Sequence, residues 1–151
     1  MKLPFKSVAM STIVHSTEDE EKVKNAFKSL IPKEVEIEES KAEGHFGDSK
    51  KILSVSIQRR PHMREFWDQI LKRLGEEELS WLKKRSIDRI GDDCTLYLRF
   101  SKQYLVSDKK LRFSDTGDVF HTRIKISAYP AKRDLAVEKM EEFIESEFKY
   151  G

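Results

Sequence analysis

Cationic and aromatic side chains alternate with apolar ones in two segments of the chain. They are Tyr97 and Arg99 in residues 95–100, and His121, Arg123 and Lys125 in residues 119–129. Arginine and lysine neutralise phosphates, and an aromatic ring stacks on a nucleic-acid base for about 1–3 kcal/mol. If the two segments are neighbouring strands, this pattern predicts a basic, aromatic sheet face that suits single-stranded RNA.

Residues close to these segments extend the same chemistry. The expected phosphate and base contacts are Arg99, Lys102, Gln103, Arg123 and Lys125, with Tyr97 as a stacking platform and His45 with Phe46 as a supporting loop. That loop, "EGHFGD" at residues 43–48, is bracketed by glycines, which suit a turn between two strands. Neutralising Lys102 or Arg123 is expected to weaken binding to every RNA sequence. It should also flatten the slope of log K against log salt by about one unit per lost contact.

The elements that position these residues follow from the spacing of apolar side chains. Alternation predicts strands over residues 8–15, 34–38, 52–58, 95–100 and 119–129. Helical spacing predicts helices that include residues 23–31, 63–74, 76–85 and 135–148. Residues 102–118 are predicted to form a loop, with a short strand allowed near residues 111–113. This order indicates one α+β domain over residues 1–151.

Two local signals mark where elements begin. Thr17, followed three residues later by Glu20, predicts a capping box at the start of the first helix. Residues 90–93, Ile-Gly-Asp-Asp, predict a turn ahead of the strand at residues 95–100. We therefore assign no chemistry to the acidic residues in either signal.

Charge and composition narrow the classes of partner and compartment. The net charge is +2, but residues 44–133 carry 20 Lys and Arg against 12 Asp and Glu, a net charge of +8 between acidic ends. This asymmetry is expected where one face meets a polyanion. No segment approaches the roughly 20 apolar residues of a membrane span, residues 1–6 lack the apolar core of a secretory signal, and Cys94 is the single cysteine. These features predict a cytoplasmic protein without a membrane partner.

The sequence lacks the common motifs of catalytic sites. It contains no G-x-S-x-G elbow, no Walker A loop and no G-x-G-x-x-G, and its four histidines have no paired metal-ligand spacing. We expect no catalytic residue, metal or cofactor. Two alternatives stay open. One is a protein-interaction module, a homodimer or a scaffold, that uses the sheet face or an edge strand. The other, less favoured, is a hydrolytic site formed by His45, Asp48 and another histidine.

Four segments, in a fixed order, resemble an archaeal family of predicted RNA-binding exosome subunits. They are "HSTEDEEKV" at residues 15–23, "EGHFGD" at 43–48, "IDRIGD" at 87–92 and "LYLRFSKQ" at 96–103. Family members typically read H-A-T-E-D, G-H-F/Y-G-N-P and L-R-x-D-K-Q in this order. The resemblance implies a curved antiparallel sheet backed by helices, similar to the fold of ribosomal proteins that bind 5S rRNA. It also implies RNA and exosome subunits as partners, and it leaves the oligomeric state open, with a dimer allowed.

The chain departs from the family pattern at three places. Ser16 replaces alanine, Asp48-Ser49 stands where Asn-Pro is usual, and Ser101 replaces aspartate in the last motif. The second change removes a proline-fixed turn and places a charge beside His45. The third change leaves the arginine, lysine and glutamine of the last motif in place.

Overall fold

The computed structural model describes residues 2–43 and 49–148, and this part of the chain contains a five-stranded sheet and five α-helices. The strands are β1 (Phe5–Val14), β2 (Glu38–Glu43), β3 (Ser49–Ile57), β4 (Thr95–Ser101) and β5 (Val119–Ile126). The helices are α1 (Glu20–Lys28), α2 (Arg60–Arg73), α3 (Glu76–Arg85), α4 (Lys102–Asp108) and α5 (Arg133–Phe148), with a 3₁₀ turn at Ser86–Arg89. Within these ranges no helix is both long and apolar enough to cross a membrane.

The sheet is open, and its strands lie in the order β2-β3-β1-β5-β4. Every neighbouring pair is antiparallel. This arrangement confirms the expected α+β class, an antiparallel sheet backed by helices. It also confirms that the segments at residues 95–100 and 119–129 are neighbouring strands.

One face of the sheet is the core, because alternate strand residues are apolar and the helices pack on them. Phe5 of β1 meets Trp67 of α2 edge-on, with ring centroids 5.3 Å apart, and Phe120 of β5 meets Phe27 of α1 at 5.9 Å. All four rings are almost fully buried. Full burial of such a side chain stabilises the fold by about 1.5–3 kcal/mol. The opposite face, with the other alternate residues, stays open.

The first helix begins differently from the prediction. Asp19, and not Thr17, caps α1: its Oδ1 accepts from the backbone N–H groups of Glu21 and Lys22, at 3.1 and 3.3 Å. Glu18 instead accepts from the N–H of His15 at 3.0 Å. The capping box was wrong because an aspartate two residues after the threonine offers its carboxylate at the right place.

Two strand predictions also need correction. Residues 34–37 are not a strand. Val35 and Ile37 are half-buried against the core, and the N–H of Val35 bonds back to Pro32 at 3.1 Å. Their alternation therefore reflects packing without a partner strand. Strand β5 ends at Ile126 rather than at residue 129, because the chain then leaves its ladders with β1 and β4 and the N–H of Ser127 bonds to the carbonyl of Pro4 at 2.8 Å.

The predicted loop at residues 102–118 begins with a helix. Ser101 caps α4, since its Oγ accepts from the N–H of Tyr104 at 3.3 Å. Residues 112–114 then run along the free edge of β4, where the N–H of Ser114 bonds to Arg99 and the N–H of Ser101 bonds to Arg112. The turn predicted at residues 90–93 is confirmed by a bond from the N–H of Cys94 to Gly91, 3.0 Å.

Candidate nucleic-acid interface

Strands β4 and β5 bring the cationic and aromatic residues together on the open face of the sheet. Across the two strands Thr95 lies opposite Lys125, Tyr97 opposite Arg123, and Arg99 opposite His121. The intervening residues, among them Leu96, Leu98, Thr122 and Ile124, point into the core and are buried. Tyr97, Arg99, His121, Arg123 and Lys125 are called the basic face below.

The basic face contains a shallow depression of about 250 Å³. Its rim side chains are Ser11, Tyr97, Arg99, His121 and Arg123. Strand β1, next to β5, contributes only small residues at this level: Ser7 pairs with Lys125, Ala9 with Arg123 and Ser11 with His121. Beside Arg123 and His121 the open face therefore carries only small β1 side chains, and an extended polymer can lie close to the sheet there.

The cations of the basic face are not neutralised by neighbouring carboxylates. Arg99, Arg123 and Lys125 form no ion pair within 4.0 Å with any described residue. The lysines on the helix-covered side of the sheet behave differently, since Lys24 and Lys51 are paired with Glu39 and Glu20. The three cations of the basic face are thus available to a polyanion, whereas Lys24 and Lys51 are not.

His121 belongs to this face although it was not among the expected contacts. Partial burial, and then the positive charges of Arg99 and Arg123, hold its pKa below the ordinary value of a histidine. The imidazole is therefore neutral at neutral pH, with one nitrogen that donates and one that accepts. Its place in the alternating set of β5 was the sequence signal for it.

The ring of Tyr97 is held in position by a hydrogen bond from its hydroxyl group to Asp93. The side chain is 41% exposed, and its hydroxyl donates to the carboxylate of Asp93, which also accepts from the N–H of Thr95 at 3.1 Å. This bond lowers the pKa of Asp93 and raises the pKa of Tyr97. A Cβ at Gly91 would lie 3.4 Å from the tyrosine ring and 3.0 Å from the Asp93 carboxylate. The "IDRIGD" segment thus shapes the support of an exposed aromatic ring.

Lys102 does not fit the role expected for it. The residue is 3% exposed, and its ammonium donates to the carbonyl of Ile13 and to the Glu18 carboxylate, 3.0 Å from Oε1. The start of α4 at this residue turns the side chain inward, so that it joins α4 to the end of β1. We therefore leave Lys102 out of the proposed contacts.

Gln103 lies away from the basic face, and residues 44–48 of the "EGHFGD" segment are outside the described part of the chain. Gln103 is exposed, but it lines a groove between α1 and α4, together with Lys22 and Val106. His45, Phe46 and Asp48 lie outside the described residues. The RNA contacts expected of Gln103, His45 and Phe46, and the alternative hydrolytic site at His45 and Asp48, remain predictions.

Three potential metal ligands meet beside Lys102. The ligand atoms of His15, Glu18 and Asp118 all lie within 4.8 Å of one another. His15 Nε2 is 3.1 Å from Asp118 Oδ1, and Glu18 is already paired with Lys102. A cation would have to compete with that ammonium, so the group is best described as an ion-pair network. We call these four residues the Lys102 cluster.

An antiparallel sheet whose open face carries unpaired cations and an exposed aromatic ring is typical of sheet-based nucleic-acid-binding domains. A family model described as RNA binding matches residues 7–126. The chain belongs to this RNA-binding family.

Similar proteins come from archaea. The chain is 32% identical over 153 residues to the RNA-binding protein PAB1135 of Pyrococcus abyssi, with 97% of each chain covered. Among solved structures it is similar to protein AF2318 of Archaeoglobus fulgidus, with 35% identity, a TM-score of 0.75, and 91% of this chain and 98% of that chain covered. It is also similar to Mth689, a DUF54 protein of Methanothermobacter thermautotrophicus, with 31% identity, a TM-score of 0.75, and coverage of 93% and 98%.

Proposed function

We propose that this protein is a non-catalytic RNA-binding protein that acts as a single domain in the cytoplasm. The observation that carries the proposal is the basic face, where three cations without carboxylate partners surround one exposed ring. Arg99, Arg123 and Lys125 bind phosphates, and Tyr97 stacks on a base. Membership of the RNA-binding family and the similarity to PAB1135 support the same conclusion.

The shape of the basic face favours single-stranded RNA. The depression is shallow, and its floor next to β1 is built from small side chains, so a strand can lie flat with its bases turned towards the sheet. Arg99 and Arg123 are diagonal neighbours on adjacent strands, roughly 7–8 Å apart. They can therefore contact different phosphates of one strand. A stacked duplex would leave the Tyr97 ring without a base to stack on.

The composition of the basic face favours binding over cleavage. Hydrolysis of a phosphodiester in proteins usually relies on convergent carboxylates that hold metal ions, or on a pair of groups that exchange protons. The described residues that line the depression are two arginines, a tyrosine, a serine, a threonine, a leucine and one histidine, without a carboxylate. These groups neutralise, stack and donate hydrogen bonds.

We further propose that the protein works beside the RNA-processing or RNA-degrading exosome. The support is the ordered set of motifs by which the sequence resembles predicted exosome subunits. Co-purification of exosome subunits with the tagged protein, retained after nuclease treatment, is the expected result. Complete loss of those subunits after nuclease treatment would show that the protein and the exosome are linked only by binding the same RNA.

The direct test of RNA binding is a fluorescence anisotropy titration. The wild-type protein is expected to bind a labelled single-stranded RNA of about ten nucleotides more tightly than the corresponding duplex, and to leave the RNA intact. Arg123→Glu should abolish binding, whereas Lys139→Glu, the same charge reversal at an exposed site on α5, should not. Equal loss in both variants would show that net charge alone attracts the RNA.

A further inference from the structure

A second concavity opens beside the basic face and shares a wall with it. This pocket of about 320 Å³ lies between α3, the 3₁₀ turn, the 112–115 segment and β4. Tyr97 and Arg99 line both this pocket and the depression of the basic face. The volume is at the lower end of the roughly 300–1,000 Å³ of small-molecule sites. A polymer bound on the basic face therefore passes the entrance of the pocket.

The far wall of the pocket is aromatic and rigidly supported. Trp81 of α3 packs against Phe113, with ring centroids 4.5 Å apart, and Phe113 stacks on the buried Phe100 at 5.1 Å. The N–H of Phe113 bonds to the carboxylate of Glu78 at 2.9 Å, which fixes the 112–115 segment to α3. Trp81 and Phe113 are partly buried, and their exposed parts form one wall of the pocket.

The charges around the pocket select a base and not a phosphate. Arg89 lies over the Trp81 ring, 5.7 Å from its centroid, but Asp115 already neutralises it at 3.0 Å. Glu77 lines the pocket, is exposed, and forms no ion pair with a described residue. A free carboxylate repels phosphate and accepts from the N–H groups of a base. The phosphates are thus kept over the basic face while a base enters the pocket.

We propose that this pocket, which we call the aromatic pocket, binds one unstacked guanine base of the RNA held on the basic face. Guanine carries N–H donors on one edge and the O6 and N7 acceptors on another. The donors match Glu77, the acceptors match the N–H groups of Arg89 that do not bond to Asp115, and the flat ring packs against the exposed parts of Trp81 and Phe113. Uracil and adenine do not offer this combination of edges. The inference rests on the proposed RNA-binding function, because the basic face must hold the strand.

The test compares two labelled RNAs of about ten nucleotides, oligouridine and the same oligomer with one central guanosine, by anisotropy. Wild-type protein is expected to bind the guanosine oligomer at least about fivefold more tightly. Glu77→Gln should remove this preference and keep oligouridine binding. Glu76→Gln, one residue earlier on the same helix and outside the pocket, should keep both.

Tryptophan fluorescence supplies an independent readout. Trp67 is fully buried in the core, so quenching by the guanosine oligomer should come from Trp81 and should disappear in Trp81→Phe. Equal affinities of the wild-type protein for the two RNAs, or an equal gain from adenosine or cytidine, would overturn the guanine assignment while RNA binding stands. Failure of both oligomers to bind would overturn the pocket together with the proposed function.

Discussion

The basic face and the Lys102 cluster each contain a cation from residues 99–102, but the two cations are in opposite environments. Arg99 lies on the basic face, exposed and without a described carboxylate partner. Lys102, three residues later, is 3% exposed and bonded to Glu18 and Ile13. One cation is free to bind a polyanion. The other stabilises the junction between β1 and α4.

The role of a basic residue in this segment therefore changes where the secondary structure changes. Arg99, before Ser101, is available to bind RNA, and Lys102, after it, stabilises the fold. Ser101 is the last residue of β4 and the cap of α4. Before it, side chains alternate between core and open face. After it, the helix rotation carries Lys102 back towards the core. Substitutions on the two sides of Ser101 should therefore affect different properties, and the following experiments test that division.

The largest effect is expected on stability, from Lys102→Met. Removal of the ammonium takes its ion-pair partner from the Glu18 carboxylate and a hydrogen bond from the Ile13 carbonyl, and loss of one partner of a fully buried pair costs roughly 3–5 kcal/mol. Because the Glu18 side chain is still 23% exposed, we expect a loss of about 2–3 kcal/mol in the free energy of unfolding, measured in urea. Lys125→Met on the basic face should stay within about 0.5 kcal/mol of wild type.

RNA affinity should be affected in the reverse order, with a larger loss in Lys125→Met than in Lys102→Met. Under conditions where Lys102→Met is folded, its RNA affinity and salt slope should equal those of wild type, while Lys125→Met weakens binding. A folded Lys102→Met protein with a reduced salt slope would return Lys102 to the contact surface.

The next effect concerns the ring of Tyr97, whose hydroxyl is bonded to Asp93. Tyr97→Ala should reduce affinity for single-stranded RNA by about 5- to 100-fold, because one base loses its stacking partner. Tyr97→Phe keeps the ring and loses only the hydrogen bond to Asp93, so its loss of affinity for single-stranded RNA should be far smaller. Anisotropy titrations measure both. Equal losses in the two variants would mean that the hydroxyl, and not the ring, contacts the RNA.

A smaller effect is expected from one phosphate contact. Arg123→Gln should weaken binding to all RNA sequences and should lower the slope of log K against log salt by about 0.7, the value per phosphate on a single strand. Titrations between about 50 and 200 mM salt give the slope. Loss of affinity for one sequence with an unchanged slope would assign Arg123 to a base instead.

The smallest effect is the pH dependence that His121 introduces. Its pKa in the free protein is held below the ordinary value, and a nearby phosphate would raise it, so binding takes up a proton. RNA affinity should therefore rise as the pH falls from about 8 to about 6. Stability should change in the opposite direction, because the unfolded chain, with a histidine pKa of about 6.5, takes up the proton more readily.

His121→Gln separates these two effects from those of other groups. The variant should show a flatter dependence on pH both for RNA affinity and for the free energy of unfolding. A wild-type affinity that falls on acidification would show that the imidazole binds only in its neutral form.

Sequence reasoning reached the basic face because its signal is local. Period-two alternation fixes which side chains share a face of a strand, and β4 and β5 carry long, regular patterns. The basic face then required only that the two strands be neighbours, and the antiparallel pairing of Tyr97 with Arg123 shows that they are. The α+β class followed from the same patterns.

The remaining features depend on contacts between distant parts of the chain. The burial of Lys102 depends on Glu18, 84 residues away, and no local pattern shows such a partner. Helix α4 has only seven residues, too few for a clear helical period. The aromatic pocket joins Trp81 to Phe113 through the tertiary fold. Alternation at residues 34–37 was misleading because half-buried side chains of an irregular segment can alternate as well.

The most direct test removes two positive charges either from the basic face or from a control site on another part of the surface. Arg99→Gln/Arg123→Gln removes two arginines from the basic face, and Arg59→Gln/Arg60→Gln removes two exposed arginines at the start of α2. The measurement is the salt dependence of affinity for single-stranded RNA. We predict that the first variant loses about 1.4 units of slope and binds more weakly at every salt concentration, while the second retains the wild-type slope. Equal slopes in the two variants would contradict the assignment of the basic face as the RNA-binding surface.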